Sequence, residues 1–542
     1  MNSAELLVKC LENEGVRFAF GLPGEENLEF LHALLSSGIS PVITRDERNA
    51  AFMAGAAGRL TGTPGVCFST LGPGATNLVT GVADAFLDFA PMLALTAQAS
   101  SLRRHKESHQ YIDVLSMFKP ITKWNSRIEA PSIIPEVVRK AFRVAEFEKP
   151  GPTHIELPED IAEMQAAGNP LPLLPIQYPV PREADLQKAL KMIRNSSMPL
   201  ILAGHGVIRN SASAALLAFA SKAGIAVLNT FMGMGAVPSD NELFVSTIGL
   251  QAKEYVQCGL EKADLIIAIG YDPVEFSPQW WDISKRIIHV NTNHAEVDGN
   301  YGPFELIGDI KETLKALTAL TDTQKDPSYF INIRHDIEDG MNDLLHYPSG
   351  NGISPLSIVL DIRAALGRDD ILVSDVGAHK IWIGRFYPAY CPNTVLISNG
   401  FASMGFAIPS AIAAKLLYPE KKVIAAVGDG GFMMTVAELE TAVRLGIPFV
   451  TVIFNDNGYG LISWKQKVRY GKDFLVKVGN PDFVKLGESF GCKAYRVGKG
   501  DDLTAALKDA LAQKAPSIVE CVTDYSINMK LTEKLGHIIC PV

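Results

Sequence analysis

Residues 422–462 constrain the fold more than any other stretch of the chain. Two apolar runs, 422–427 and 447–454, are each followed by an acidic, glycine-rich turn: Gly428-Asp429-Gly430-Gly431 and Asn455-Asp456-Asn457-Gly458. Short apolar runs bounded by turn residues read as buried strands. Between them, Thr435 to Leu445 carries apolar residues at helical spacing. A strand–helix–strand unit of this kind sets its strands parallel and side by side. Both turns then open at one carboxyl edge of a sheet, where open α/β sheets bind ligands. Asp429 and Asp456, 27 positions apart in sequence, converge there. Two carboxylates beside glycine-rich backbone suit a hard cation with oxygen ligands. Gly430 and Gly431 leave backbone N–H groups open at a helix start, which suits phosphate. Either turn alone reads as an ordinary solvated turn between strand and helix. The pair at this spacing predicts a Mg²⁺-bridged diphosphate.

The length of 542 residues predicts about three or four domains. The net charge of −9 argues against a general binder of nucleic acid or of membrane surfaces. No apolar stretch reaches the roughly 18 residues of a membrane span. The first residues show no basic region followed by an apolar core, so no signal peptide is expected. Seven dispersed cysteines (10, 67, 258, 391, 492, 521 and 540) include no Cys-x-x-Cys pair. They read as free thiols in a reducing, cytoplasmic setting.

Along the chain, Ser3 is the expected cap of a first helix, followed by a strand at Val16–Phe20 and the turn Gly21-Leu22-Pro23-Gly24-Glu25. A strand at Pro41–Thr44 runs into Arg45-Asp46-Glu47-Arg48, and Ala50–Leu60 is a small-residue helix suited to close packing. Strands follow at Val66–Thr70, before Gly72-Pro73-Gly74 and Asn77, and at Met92–Thr96. The proline-rich stretch from Pro158 to Pro181 reads as a linker. A second alternating unit has strands at Pro199–Leu202, Ala226–Asn229, Leu265–Ile269 and Arg286–Val290. Its Ala203-Gly204-His205-Gly206 turn lacks a full dinucleotide fingerprint. Thr321 to Gly352 is polar and reads as a second linker. A third unit adds strands at Ile371–Ser374, Thr394–Ile397 and Ser517–Val522. The prediction is an α/β protein of three doubly wound, mainly parallel-sheet domains at 1–165, 184–325 and 350–542.

Gly428-Asp429-Gly430 followed by Asn455-Asp456-Asn457 resembles the thiamine diphosphate (ThDP) motif of ThDP-dependent 2-oxo acid enzymes. The resemblance covers nearly the whole chain, in the order pyrimidine-binding, central and diphosphate-binding domain. It implies Asp429, Asp456 and the Gly458 carbonyl as Mg²⁺ ligands. It implies Glu47 as the carboxylate bonded to the cofactor's N1′, which otherwise reads as a surface carboxylate. Met404 would prop the bent cofactor, and would otherwise be a core methionine; Ala402 would offer its carbonyl to the pyrimidine amino group. Gly24 and Asn77 would lie on the pyrimidine side. Ala378, His379, Gly430, Gly431, Tyr459, Gly460 and Leu461 would meet the rest of the cofactor. His109 and Gln110 resemble the polar pair that faces substrate in this family, at the end of a charged loop that is otherwise simply solvated.

Within the family the likeness is to acetolactate synthases of the catabolic, flavin-independent type. It rests on Ile269-Gly270-Tyr271-Asp272-Pro273-Val274-Glu275, on Glu438-Leu439-Glu440-Thr441-Ala442-Val443-Arg444-Leu445, and on Leu306-Ile307-Gly308-Asp309-Ile310. No catalytic FAD is therefore expected, with a vestigial site left open. Two residues depart from that pattern. Glu25 stands where synthases have Gly or Ala and where non-oxidative decarboxylases place an acid to deliver a proton. Lys465 stands where catabolic synthases have Gln; it would pair with a second substrate carboxylate or point to solvent. Ile462 sides with the synthases, since decarboxylases have Glu there. The implied reaction joins two small 2-oxo acids after decarboxylation of one. The alternative is a simple decarboxylase releasing an aldehyde. The likeness also implies a homodimer at minimum, and a homotetramer by pairing of dimers.

Overall fold

The computed structural model describes residues 1–249, 259–279, 281, 284–348 and 350–535. Cys258 and Cys540 lie outside the described residues. Eighteen described strands form three six-stranded sheets. The first holds β1 (Phe18–Gly21), β2 (Ser40–Ile43), β3 (Gly65–Ser69), β4 (Met92–Gln98), β5 (Trp124–Arg127) and β6 (Pro152–Pro158), in the order β2-β1-β3-β4-β6-β5. The second holds β7 (Pro199–Ala203), β8 (Val227–Thr230), β9 (Phe244–Ile248), β10 (Leu265–Ile269), β11 (Arg286–Asn291) and β12 (Phe304–Ile307), in the order β12-β11-β10-β7-β8-β9. The third holds β13 (Ile371–Ser374), β14 (Val395–Ile397), β15 (Val423–Gly428), β16 (Val450–Asn455), β17 (Lys493–Val497) and β18 (Ser517–Val522). Its order, β14-β13-β15-β16-β18-β17, repeats that of the first sheet. Every pairing of these strands is parallel. The expected doubly wound class is observed.

The local reasons are those of buried parallel sheets. Central strands such as β4, β7, β10 and β16 are buried along their whole length, so they read as unbroken apolar runs. Edge strands β2, β5, β12 and β17 are partly exposed, and of these only β2 was foreseen. The strand β6 was also missed, because it buries His154 and Glu156 among its apolar residues. Gln98 Nε2 donates to Glu156 Oε2 at 3.0 Å and Arg127 Nε also donates to that carboxylate, which is how it is tolerated.

Three further expectations need correction. The first helix, Ser3–Asn13, is capped by Asn2 rather than Ser3. The Asn2 side chain accepts from the Glu5 N–H at 2.9 Å, and the Glu5 carboxylate accepts from the Asn2 N–H at 2.8 Å, a complete capping box. The segment read as a second linker contains an 18-residue helix, Ser328–Leu345, with only Phe330 and Leu344 buried. The helix expected over 435–445 is observed only as Glu438–Arg444, with a separate short helix, Asp429–Thr435, before it.

The first and third units share a core. The small-residue helix Glu47–Thr61 packs on Ala407–Leu417, with Phe52 edge-on to Phe406 at 5.8 Å. Gly81 on the neighbouring helix, Pro73–Leu87, approaches so closely that a Cβ there would lie 2.5 Å from Ala51 Cβ. Burying a side chain such as Phe52 stabilises by roughly 1.5–3 kcal/mol.

Candidate active site

In the third sheet the strand order reverses between β13 and β15, and the loops there open a cleft of about 180 Å³. The register sets Gly428 beside Phe454, so the turns after β15 and β16 emerge side by side. Asp429, Gly430 and Gly431 form one wall; Asp456, Gly458, Tyr459, Gly460, Leu461 and Ile462 form another. Ala378 and His379 enter from the turn after β13, and Ala402 and Met404 from the loop after β14. Helices Ala378–Phe386, Asp429–Thr435 and Gly460–Tyr470 all begin at this cleft, aiming positive dipole ends inward.

Asp429 is buried and Asp456 beside it is half-buried. Burial and the Asp429 charge push the Asp456 carboxyl up to about 7, and burial raises Asp429 as well. Asp429 Oδ2 accepts from Gly458 N at 3.0 Å and from Asn480 Nδ2 at 2.7 Å. Like charges held together in a dry site call for a cation. No cluster of three or more His, Cys, Asp or Glu occurs among the described residues. The two carboxylates and the backbone carbonyls of the second turn are oxygen donors of the kind a hard cation takes. Space fits a ligand too. A Cβ on Gly430 would stand 3.0 Å from the Tyr459 ring and 3.4 Å from Met404 Cε. His379 is buried, stacked on Phe454 at 5.3 Å, and its Nε2 has no hydrogen-bond partner. Burial holds the imidazole far down, at about 3, so it is neutral. An orphaned ring nitrogen, three helix starts and two facing carboxylates together fit a metal-bound diphosphate.

The Met404 loop is held in a costly shape. Ala402 sits at φ 55°, which costs about 1–2 kcal/mol for a residue with a Cβ. The loop's exit is fixed by Asp375, whose carboxylate accepts from Gly405 N at 2.9 Å and Ala407 N at 3.2 Å. Burial raises Asp375 to about 6.

The remaining candidates gather at the carboxyl edge of the first sheet. Glu47 opens the helix Glu47–Thr61, capped by Asp46, and Asn77 Nδ2 donates to its Oε2 at 3.0 Å. A Cβ on Gly74 would lie 3.1 Å from Glu47 Oε1, so the Gly72-Pro73-Gly74 turn wraps the carboxylate. Gly24 packs on Thr70, and Gln110, at φ 57°, packs on Gly72. Glu25 and His109 are exposed, while the neighbouring Glu26 turns inward to accept from Thr70 Oγ1 at 2.7 Å. None of Glu47, Gly24, Glu25, Asn77, His109 or Gln110 lines the cleft of the third sheet. Within one chain the predicted set thus falls into two halves. Lys465 also lies off the cleft wall, one turn beyond Ile462, whose side chain is 46% exposed on the rim.

Sequence reasoning missed Asp375, Phe454, Tyr525 and Asn480. Asp375 had a signal, an acid at a strand's carboxyl end, and Phe454 closes a strand that was foreseen. Tyr525 and Asn480 arrive from distant loops and had none.

Fold and cleft define a three-unit α/β enzyme built to hold a diphosphate cofactor at a sheet edge. Residues 1–117, 186–317 and 375–521 match, respectively, the N-terminal TPP binding domain, the central domain and the C-terminal TPP binding domain of thiamine pyrophosphate enzymes. The chain belongs to the thiamine pyrophosphate enzyme family. It is 34% identical to the acetolactate synthase of Bacillus subtilis over 537 residues, 97% of this chain and 94% of that protein. It is 36% identical to a probable acetolactate synthase large subunit of Methanocaldococcus jannaschii, covering 100% of this chain and 96% of that one. It is 34% identical to a catabolic acetolactate synthase of Raoultella terrigena, over 98% and 97% of the two chains.

Proposed function

We propose that this chain is a ThDP- and Mg²⁺-dependent acetolactate synthase, which decarboxylates pyruvate and joins the two-carbon unit to a second 2-oxo acid. One observation carries the reading: similarity to named acetolactate synthases runs unbroken across all three units. When bound, ThDP supplies the nucleophilic carbon and the electron sink that a 2-oxo acid needs to lose CO₂. Asp429, Asp456 and the Gly458 carbonyl would hold the Mg²⁺ at the diphosphate end of the cleft. The orphaned His379 nitrogen and the backbone of Gly430 and Gly431 complete that end. Met404 and the Ala402 carbonyl, both on the cleft wall, would hold the cofactor in place. Glu47 holds a proton at N1′, oriented by its bond from Asn77. Gln110 binds the 2-oxo acid oxygen and His109 relays protons.

The two halves imply assembly. The Glu47 half of one chain is completed by the Asp429 half of a second copy, in a homodimer that pairs into a homotetramer. Activity is expected to vanish on dilution to monomer, read by sedimentation alongside initial rates; an active monomer would refute the shared site. FAD plays no part in this proposal. At the Gly204–Gly206 turn the His205 N–H is taken by the chain's own Glu275 carboxylate, at 3.0 Å. The described cysteines are free thiols, as a reducing cytoplasm would keep them.

A second reading, a 2-oxo acid decarboxylase, is favoured by the exposed acid Glu25. Product analysis separates the two. With ThDP, Mg²⁺ and pyruvate the expected product is acetolactate. Acetaldehyde from pyruvate, or succinic semialdehyde from 2-oxoglutarate, without carboligation would sink the synthase reading. Replacing Glu25 with Gly is expected to raise the ratio of carboligation to aldehyde release. An unchanged ratio would remove Glu25 from proton delivery.

A further inference from the structure

The loop that carries Ala402 and Met404 is tied to the first unit by a buried polar cluster. Asp88, at the end of helix Pro73–Leu87, accepts from Gly400 N at 2.6 Å and from Asn399 N at 3.2 Å. One helix turn earlier, Asp84 Oδ1 accepts from Ser398 Oγ at 2.5 Å. The same Ser398 Oγ accepts from Ser403 N at 3.0 Å, folding the loop back on itself between its two cleft residues and β14. Arg59, at the far end of the helix that starts with Glu47, pairs with Asp88 at 3.4 Å and donates to Ile397 O at 2.8 Å. Asn399 Nδ2 reaches Glu275 O of the central unit at 3.2 Å. The fit is close: a Cβ on Gly400 would lie 2.5 Å from Leu87 O.

A buried ion pair seldom returns its desolvation cost, so stability alone is a poor reason for this one. Burial raises both carboxyls, Asp84 well up, and Arg59 opposes the rise in each. What the cluster secures is the course of a loop that Ala402 holds in a strained left-handed conformation. On the opposite side Asp375 fixes the loop's exit through Gly405 N and Ala407 N. The loop is thus clamped at both ends by buried carboxylates, one end from a different unit of the chain.

We propose that Asp84, Asp88 and Ser398 are positioning residues for ThDP, setting loop 398–405 so that Ala402 and Met404 meet the cofactor. This rests on the ThDP reading of the cleft. The test uses the full chain with Mg²⁺ and measures ThDP affinity by titration calorimetry, with melting of the cofactor-free protein alongside. Ser398→Ala removes the hydroxyl that bridges Asp84 and Ser403 without touching the ion pair. It is expected to weaken ThDP binding about tenfold while the cofactor-free melting point stays within about 2 °C. Ser398→Thr keeps a hydroxyl and is expected to restore affinity. Asp88→Asn alone strands a buried Arg59 and risks misfolding, so the paired change Arg59→Met with Asp88→Asn is used. It is expected to weaken ThDP at least as much. Wild-type affinity in both Ser398→Ala and the paired variant overturns the proposal. So does a loss in Ser398→Ala that is matched by lost cofactor-free stability, since the role would then be structural only. If the wild-type chain takes up no ThDP, the cleft reading itself falls.

Discussion

Replacing Glu47 with Gln is expected to lower kcat by a factor of about 10²–10⁴, the usual share of a positioned proton-transfer group. The substitution keeps shape: a glutamine oxygen can still accept from Asn77, which donates to Glu47 at 3.0 Å. The Gly72-Pro73-Gly74 turn that wraps the side chain is untouched. Charge and proton are what is lost. ThDP affinity and melting temperature should therefore stay close to wild type while turnover collapses. Steady-state rates at saturating ThDP, with calorimetric affinity as the control, decide it. A variant within tenfold of wild type would leave Glu47 a structural carboxylate, though a buried one and not the surface group its sequence context alone suggests.

Replacing Asp429 with Asn is expected to weaken Mg²⁺-dependent ThDP binding by a hundredfold or more, an effect of about 2.7 kcal/mol. Asp429 holds the Gly458 N–H and the Asn480 amide on one oxygen, so it shapes the second turn as well as charging the site. An asparagine oxygen can still accept from both donors, but the second carboxylate oxygen is replaced by an NH₂ donor and one of the two charges that draw the cation is removed. Chelation of the wild-type protein should reproduce the loss, and added Mg²⁺ should reverse it in the wild type alone. Undiminished ThDP binding in Asp429→Asn, or binding indifferent to chelator, would dismiss the metal-bridged diphosphate.

The fold was legible where burial made a strand uniformly apolar. The strands Leu265–Ile269, Ile371–Ser374 and Ser517–Val522 are observed with the bounds read from sequence. It was illegible where a strand is half-solvated, as at Trp124–Arg127 and Lys493–Val497, or where polar groups are buried in pairs, as at Glu156. The helix Ser328–Leu345 escaped because two buried residues in five turns leave almost no periodic signal. Ser3 was mistaken for the cap because Asn2 and Glu5 form the box one position earlier.

The site divides along the same line. Asp429 and Asp456 could be paired from sequence because one strand–helix–strand unit dictates parallel, adjacent strands. Their convergence needs no contact from elsewhere. The Gly-rich turns and the acid closing β13 are local in the same sense. Asn480 and Tyr525 reach the cleft only through the packing of separate loops. The bond from Gly400 N to Asp88 spans 312 positions. No periodicity encodes such a contact, because it depends on how two sheets and their helices dock. That Glu47 and Asp429 stand in separate halves of one chain was likewise decided by tertiary packing. The class of fold and the convergence of Asp429 and Asp456 at one sheet edge could be read from sequence, since both follow from neighbours along the chain. What ties the Met404 loop to the first unit follows from packing across hundreds of residues and was settled only by the structure.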